Sequence, residues 1–133
     1  MTNKPKKILT EISPGELLDK ISILEIKISK IKNESSLLEI KKEYNILKKA
    51  QNQNIELTSE IADLFNGLKE VNLKLWGIED QIRICEKEKD FKDKFIELAR
   101  NVYSTNDKRA KIKSEINKLL GSNIREIKEY IKY

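Results

Sequence analysis

Residues 57–119 read LTSEIADLFNGLKEVNLKLWGIEDQIRICEKEKDFKDKFIELARNVYSTNDKRAKIKSEINKL. Leu57, Ile61, Leu64, Leu68, Val71, Leu75, Ile78, Ile82 and Cys85 recur at alternating spacings of four and three. So do Phe95, Leu98, Val102, Thr105, Arg109, Ile112, Ile116 and Leu119. Such a period is the seam of a helix packed coiled-coil fashion on a neighbour. A turn near Asp90 brings the seams together in antiparallel register, with Ile82 opposite Leu98, Ile78 opposite Val102, Leu68 opposite Ile112 and Ile61 opposite Leu119. The stretch predicts a long helical hairpin, with helices over about 55–88 and 91–120, each roughly 45–50 Å long. Two seam positions, Thr105 and Arg109, are polar. A hairpin needs no polar residue there, so they mark a place where more than hairpin packing is at stake.

Working outward, Ser13-Pro14-Gly15-Glu16 is a helix start. Ser13 caps, Pro14 suits the first helical position and Glu16 completes a capping box. The first helix runs to about Ile31 on a stripe of Leu17, Ile21, Leu24, Ile28 and Ile31, and Ile23 and Ile26 widen it enough for neighbours on two sides. Asn33-Glu34-Ser35 reads as a turn, and Ser36 with Glu39 as a second capping box. The second helix offers Leu37, Ile40, Tyr44 and Leu47 in antiparallel register with the first. Gly121 is a natural helix stop. Asn123 with Glu126 then restarts a short last helix on Ile124, Ile127 and Ile131. Near the N-terminus, Ile8, Thr10 and Ile12 alternate as a short extended strand would, although a lone strand needs a partner edge. The fold class is therefore all-α: an antiparallel helical bundle of two helix hairpins, one short and one long, plus a short C-terminal helix and a short extended N-terminal segment. Residues 1–12 form a flexible or extended arm and residues 13–133 a single helical-bundle domain.

Composition narrows the function. The chain has 133 residues, 37% of them charged, which suits long solvated helices. The net charge of +5 comes mainly from lysines that do not segregate to one helix face, so no nucleic-acid partner is expected. No histidine is present, which removes the commonest general base and the commonest zinc ligand. Asp63, Glu70, Glu79 and Glu86 lack the Glu-x-x-His pairs of a di-metal bundle. No metal and no cofactor is expected. Cys85 is the single cysteine and sits on an apolar seam, in keeping with a reducing cytoplasm. No apolar run approaches the length of a membrane span, so no membrane insertion is expected. The short hairpin cannot clothe the long one, and a second copy of the chain is the expected cover, giving a homodimer.

The heptad flanks locate the candidate site. One flank of the third helix carries Phe65, Asn72, Trp76, Glu79 and Arg83. The matching flank of the fourth carries Ala99, Tyr103, Asn106, Ala110, Lys113, Asn117 and Leu120, and the small Ala99 and Ala110 admit another helix. This side is expected to receive the first hairpin. It mixes aromatics with charge, and two readings follow. In the first, the polar residues satisfy one another: Glu79 with Arg83, Arg109 with Glu79 or Glu25, and Asn72 with Asn106. In the second, Trp76, Glu79, Arg83, Tyr103, Asn106, Arg109 and Lys113 form a ligand site, with Arg83, Arg109 and Lys113 holding an anion between Trp76 and Tyr103. The first is favoured.

Four stretches, SPGELLDKISILEIK (13–27), LWGIEDQIRICE (75–86), DFKDKFIELARNVYSTNDKRAKIKSEINKLLGS (90–122) and EIKEY (126–130), resemble an uncharacterised bacterial family, a domain of unknown function made of short helical proteins. The resemblance implies no activity. It adds Asp19, Lys20, Asp80, Arg100 and Asp107 as polar positions of interest beside Arg83, Tyr103, Asn106 and Arg109. Asp80, Arg100 and Asp107 fall on the outer face of the predicted hairpin. The functional expectation is a non-catalytic scaffold or protein-interaction module. An anion- or metabolite-binding regulatory domain is the alternative, and a histidine-free, metal-free small enzyme a weaker one.

Overall fold

The structure, a computed structural model, describes residues 6–133. It contains four helices: α1 (Pro14–Lys30), α2 (Glu34–Asn54), α3 (Ser59–Glu88) and α4 (Asp93–Leu119). The caps explain most of the boundaries. Ser13 Oγ accepts the Glu16 amide at 3.3 Å and Pro14 opens the first turn. The reciprocal half of the expected box is not made, because the Glu16 carboxylate turns to Lys113 Nζ at 2.7 Å. Asn33, not Ser36, caps α2, accepting the Ser36 amide at 2.9 Å. Thr58 caps α3. Lys89 closes α3 in the left-handed region at φ 56°, and α4 starts four residues later, at Asp93.

α3 and α4 form the predicted antiparallel hairpin, and their seam residues Ile61, Leu68, Ile78, Cys85, Thr105 and Ile116 are buried. α1 lies on the hairpin and touches α2, α3 and α4, whereas α2 lies close only to α1. This central place accounts for the wide apolar surface of α1: Leu17, Leu18, Ile21, Leu24 and Ile26 are all buried. The core gathers Leu17, Leu18, Ile21, Ile61, Leu68 and Ile116, with Tyr44, Leu47 and Ala50 of α2 closing it from outside. Each such buried aliphatic side chain contributes about 1.5–3 kcal/mol relative to exposure.

α1 meets α4 through an unusually close backbone approach. The Gly15 amide donates to Asn117 Oδ1 at 2.7 Å. A Cβ at Gly15 would sit 2.6 Å from the Lys113 carbonyl oxygen. Gly15 faces Asn117, Glu16 faces Lys113 and Asp19 faces Arg109, so α1 runs antiparallel to α4. It does so on the flank of the hairpin that the heptad register designates.

Both ends of the chain depart from expectation. Residues 6–12 form no strand: Ile8 and Leu9 are exposed, and no partner edge exists among the described residues. The rest of the N-terminal arm, residues 1–5, lies outside the described residues. The short C-terminal helix does not form either. After Gly121 (φ +62°) the chain continues without helix to Tyr133. A helix this short is stable only when its apolar face is buried, and here Ile127 is 84% and Ile131 94% exposed. The segment is instead held along α4 by point contacts: Glu126 with Lys113, and Tyr133 with Asp107.

Candidate functional site

The polar break in the α4 seam is the inner end of a buried network centred on α1. Asp19 is 1% exposed. Its Oδ1 accepts from Arg109 Nε and from Asn72 Nδ2, each at 2.9 Å, and its Oδ2 accepts from Arg109 Nη2 at 2.5 Å. The guanidinium thus grips the carboxylate with two nitrogens, the fork geometry that gives an arginine–carboxylate pair its strength and direction. Asn72 also donates to Ser22 Oγ at 2.8 Å, and the Ser22 hydroxyl donates to the Asp19 carbonyl at 2.7 Å. Arg109 further reaches Asn106 Oδ1 at 3.4 Å. Every fully buried side-chain polar atom among the described residues has a partner. Burial by itself raises the Asp19 carboxyl, but hydrogen bonds from Arg109 and Asn72 and the charges of Arg109 and Lys113 outweigh it. Its pKa falls below the ordinary value. The hydrogen bond to Asp19 pushes Arg109 the other way, upward.

Two further ion clusters tie α1 to its neighbours. Lys113 Nζ lies 2.7 Å from Glu16 and 3.0 Å from Glu126. Burial opposes the Lys113 charge, yet these two carboxylates raise its pKa. Glu25 accepts from Lys69 of α3 at 3.0 Å and from the Tyr44 hydroxyl of α2 at 3.3 Å. Arg109 and Asn72 are thus hydrogen-bonded, but none of the pairings expected from sequence forms. Arg109 takes Asp19 rather than Glu79 or Glu25, Asn72 takes Asp19 and Ser22 rather than Asn106, and Glu79 and Arg83 make no ion pair. The hairpin register could place these side chains on one flank but could not show how deep α1 sinks Asp19 against it.

Beside the network, α1 and α3 border a groove of about 370 Å³. Trp76, Glu79, Asp80, Arg83 and Arg109 line it, with Ile23, Ile26 and Lys27 on the α1 side. Asp80 thus turns from the expected outer face to this rim. Arg83 is exposed and has no ion-pair partner among the described residues. The remaining candidates lie elsewhere. Tyr103, Asn106 and Asp107 line a separate space between α4 and residues 128–133. Lys113 belongs to the cluster with Glu16 and Glu126. Lys20 and Arg100 point to solvent. No group of three or more acidic or cysteine side chains among the described residues could hold a metal ion. No helix of the structure is long and apolar enough to cross a membrane.

Comparison with known proteins gives one match. The model of a family of unknown function (DUF6165) matches residues 8–132. The chain belongs to this family. No curated protein and no solved structure gives a significant match. The family match includes the N-terminal residues from Ile8 and the C-terminal segment up to Lys132, leaving out Tyr133. Sequence reasoning missed Glu16, Ser22 and Glu126 as members of the polar clusters. Their signal was weak, because each fits an ordinary role in a capping box or on a helix face.

Proposed function

We propose that the protein is a non-catalytic helical interaction module whose first partner is a second copy of itself. The observation that carries this reading is the uncovered tip of the α3–α4 hairpin. Between Ile78 and Thr105 only Cys85 is buried. The tip stands about 18 Å beyond Ile78 along α3. Ile84, Phe91 and Ile96 are exposed on it. The charges around the turn alternate in sign: Glu86, Lys87, Glu88, Lys89, Asp90, Lys92, Asp93 and Lys94. A uniformly charged partner gains nothing from such a surface. A two-fold copy of the same surface can set each charge against its opposite while the apolar residues meet. Residues 13–133 act as one domain in this reading, with the reducing cytoplasm as its compartment. Sedimentation equilibrium tests it. A dimer that Ile84→Glu with Ile96→Glu converts to a folded monomer of lower melting temperature is the expected result. A wild-type monomer at high concentration rejects it.

A second reading has its own support, the groove between α1 and α3. Arg83 and Trp76 share it, and Arg83 has no carboxylate partner among the described residues. A small carboxylate or phosphate on a metabolite would pair with Arg83 and lie against the indole. The site would be smaller than the sequence suggests, because Asp19 occupies Arg109, and Glu16 and Glu126 occupy Lys113. A thermal-shift screen of anionic metabolites checks it: stabilisation lost in Arg83→Gln supports the groove, and equal responses in both proteins remove it.

A further inference from the structure

The space between α4 and residues 128–133 measures about 780 Å³. Tyr103, Asn106 and Asp107 of α4 line it, and so do Lys128, Glu129, Tyr130 and Tyr133 of the C-terminal segment. Three of the four tyrosines of the chain thus converge here. Tyr103 and Tyr133 meet edge to face, centroids 5.0 Å apart and planes at 87°. The Tyr133 hydroxyl donates to Asp107 Oδ2 at 2.7 Å, which fixes the ring against α4. The third ring already accepts a cation from its own chain: Lys128 Nζ lies 5.8 Å from the Tyr130 centroid. That lysine is also 3.5 Å from Glu126, so its charge is countered locally.

From this arrangement we infer that the Tyr103, Tyr130 and Tyr133 rings with Asp107 form a binding site for an organic cation of quaternary-ammonium or alkylguanidinium type. The π-faces of aromatic rings attract positive charge, and weakly hydrated organic cations leave water for them at least cost. Asp107 and Glu129 supply long-range attraction without the three-carboxylate cluster a metal ion would need. The volume exceeds that of one ammonium head, so the cation belongs to a larger molecule, free or peptide-borne. Because residues 128–133 form one wall, the ligand also pins this segment to α4. The site is distinct from the Trp76 groove and from the hairpin tip, and it stands whether or not either of those binds a partner.

The test uses the full chain with 3-fluorotyrosine in place of tyrosine, read by fluorine NMR. Tyr44, bonded to Glu25 on the far side of α1, is the internal control. Tetramethylammonium is titrated against neopentyl alcohol, a neutral molecule of the same shape, and methylguanidinium gives a second cation. Saturable shifts at Tyr103, Tyr130 and Tyr133, absent at Tyr44 and absent with the alcohol, are expected. Asp107→Asn and Tyr103→Leu should each weaken binding about three- to tenfold. A trimethyllysine tripeptide binding more tightly than tetramethylammonium would assign the cation to a peptide, and equal binding to a free solute. A linear, unsaturated response, or equal shifts with the alcohol, overturns the site without need of any variant.

Discussion

Asp19 is the residue on which three helices agree. It lies on α1, is gripped by Arg109 of α4 and is bonded by Asn72 of α3. Breaking a buried ion pair leaves the surviving charge without compensation, whereas replacing both partners with apolar groups can cost little. Arg109 is 28% exposed at its side chain, so water can reach the cavity that its loss would leave. Arg109→Met should therefore cost about 3 kcal/mol, read as a lower urea midpoint at unchanged slope. Asp19→Leu added to Arg109→Met should recover most of that loss. If the double variant is no better than the single one, the network is not a self-contained pair. The pH dependence has a definite sign. The folded Asp19 pKa lies below its unfolded value, so its stabilisation is complete above about pH 4. It drains away as pH falls through the folded value. The stability gap between wild type and Asp19→Asn should shrink on acidification from about pH 6 to about pH 3. A gap that widens over that range contradicts the assignment. Arg109 was legible in sequence as a fault in an apolar seam. The resemblance marked Asp19 as a polar position but not as this arginine's partner, because on a helix with apolar residues on nearly every side one carboxylate leaves no periodic trace.

At the scale of the helix, two glycines with the same propensity cost have opposite expected effects. Gly15 lies where α1 crosses α4, and a Cβ there would meet a backbone carbonyl at 2.6 Å. Main chain cannot swing aside as a side chain does, so Gly15→Ala should destabilise by about 1–3 kcal/mol. Gly77 lies on the exposed face of α3 with nothing within 4 Å of a built Cβ. Gly77→Ala should stabilise by about 0.5–1 kcal/mol, through helix propensity alone. Thermal unfolding of the pair checks both signs, and a gain from Gly15→Ala would mean that α1 is not held against α4 as described. The same contrast explains what the sequence could show about elements. Long helices were readable because their seams repeat over many turns. The C-terminal segment was misread because its three isoleucines have helical spacing but nothing to pack against. A pattern records which face could be buried, not whether a surface waits to bury it. Tyr133 and Glu126 instead bond to α4 residues more than ten positions away, and no local rule points to them.

For the whole molecule, the apolar residues of the bundle are unevenly covered. One end is well clothed: α1 fills the groove of the hairpin around Ile61, Leu68 and Ile116, and α2 closes over α1. The other end is a bare two-helix stalk on which Cys85 is the only buried residue. Two helices alone bury too little apolar surface to be independently stable at such a tip, so contact with a second copy should add directly to folding stability. Association then enters the unfolding equilibrium by mass action, and the melting temperature depends on protein concentration. Each tenfold rise in concentration is worth about 1.4 kcal/mol per mole of dimer. For a chain of this size, that should raise the melting temperature by about 2–4 °C. In Ile84→Glu with Ile96→Glu, the concentration dependence should vanish and the melting temperature should sit below the wild-type value. The alternating charges around the turn are exposed, and salt screens exposed pairs. Added salt should therefore weaken the dimer only slightly, leaving the apolar contact as the main term. A melting temperature that stays fixed for wild type over a roughly hundredfold range of concentration would mean that the stalk is stable unaided, and that it awaits a different protein.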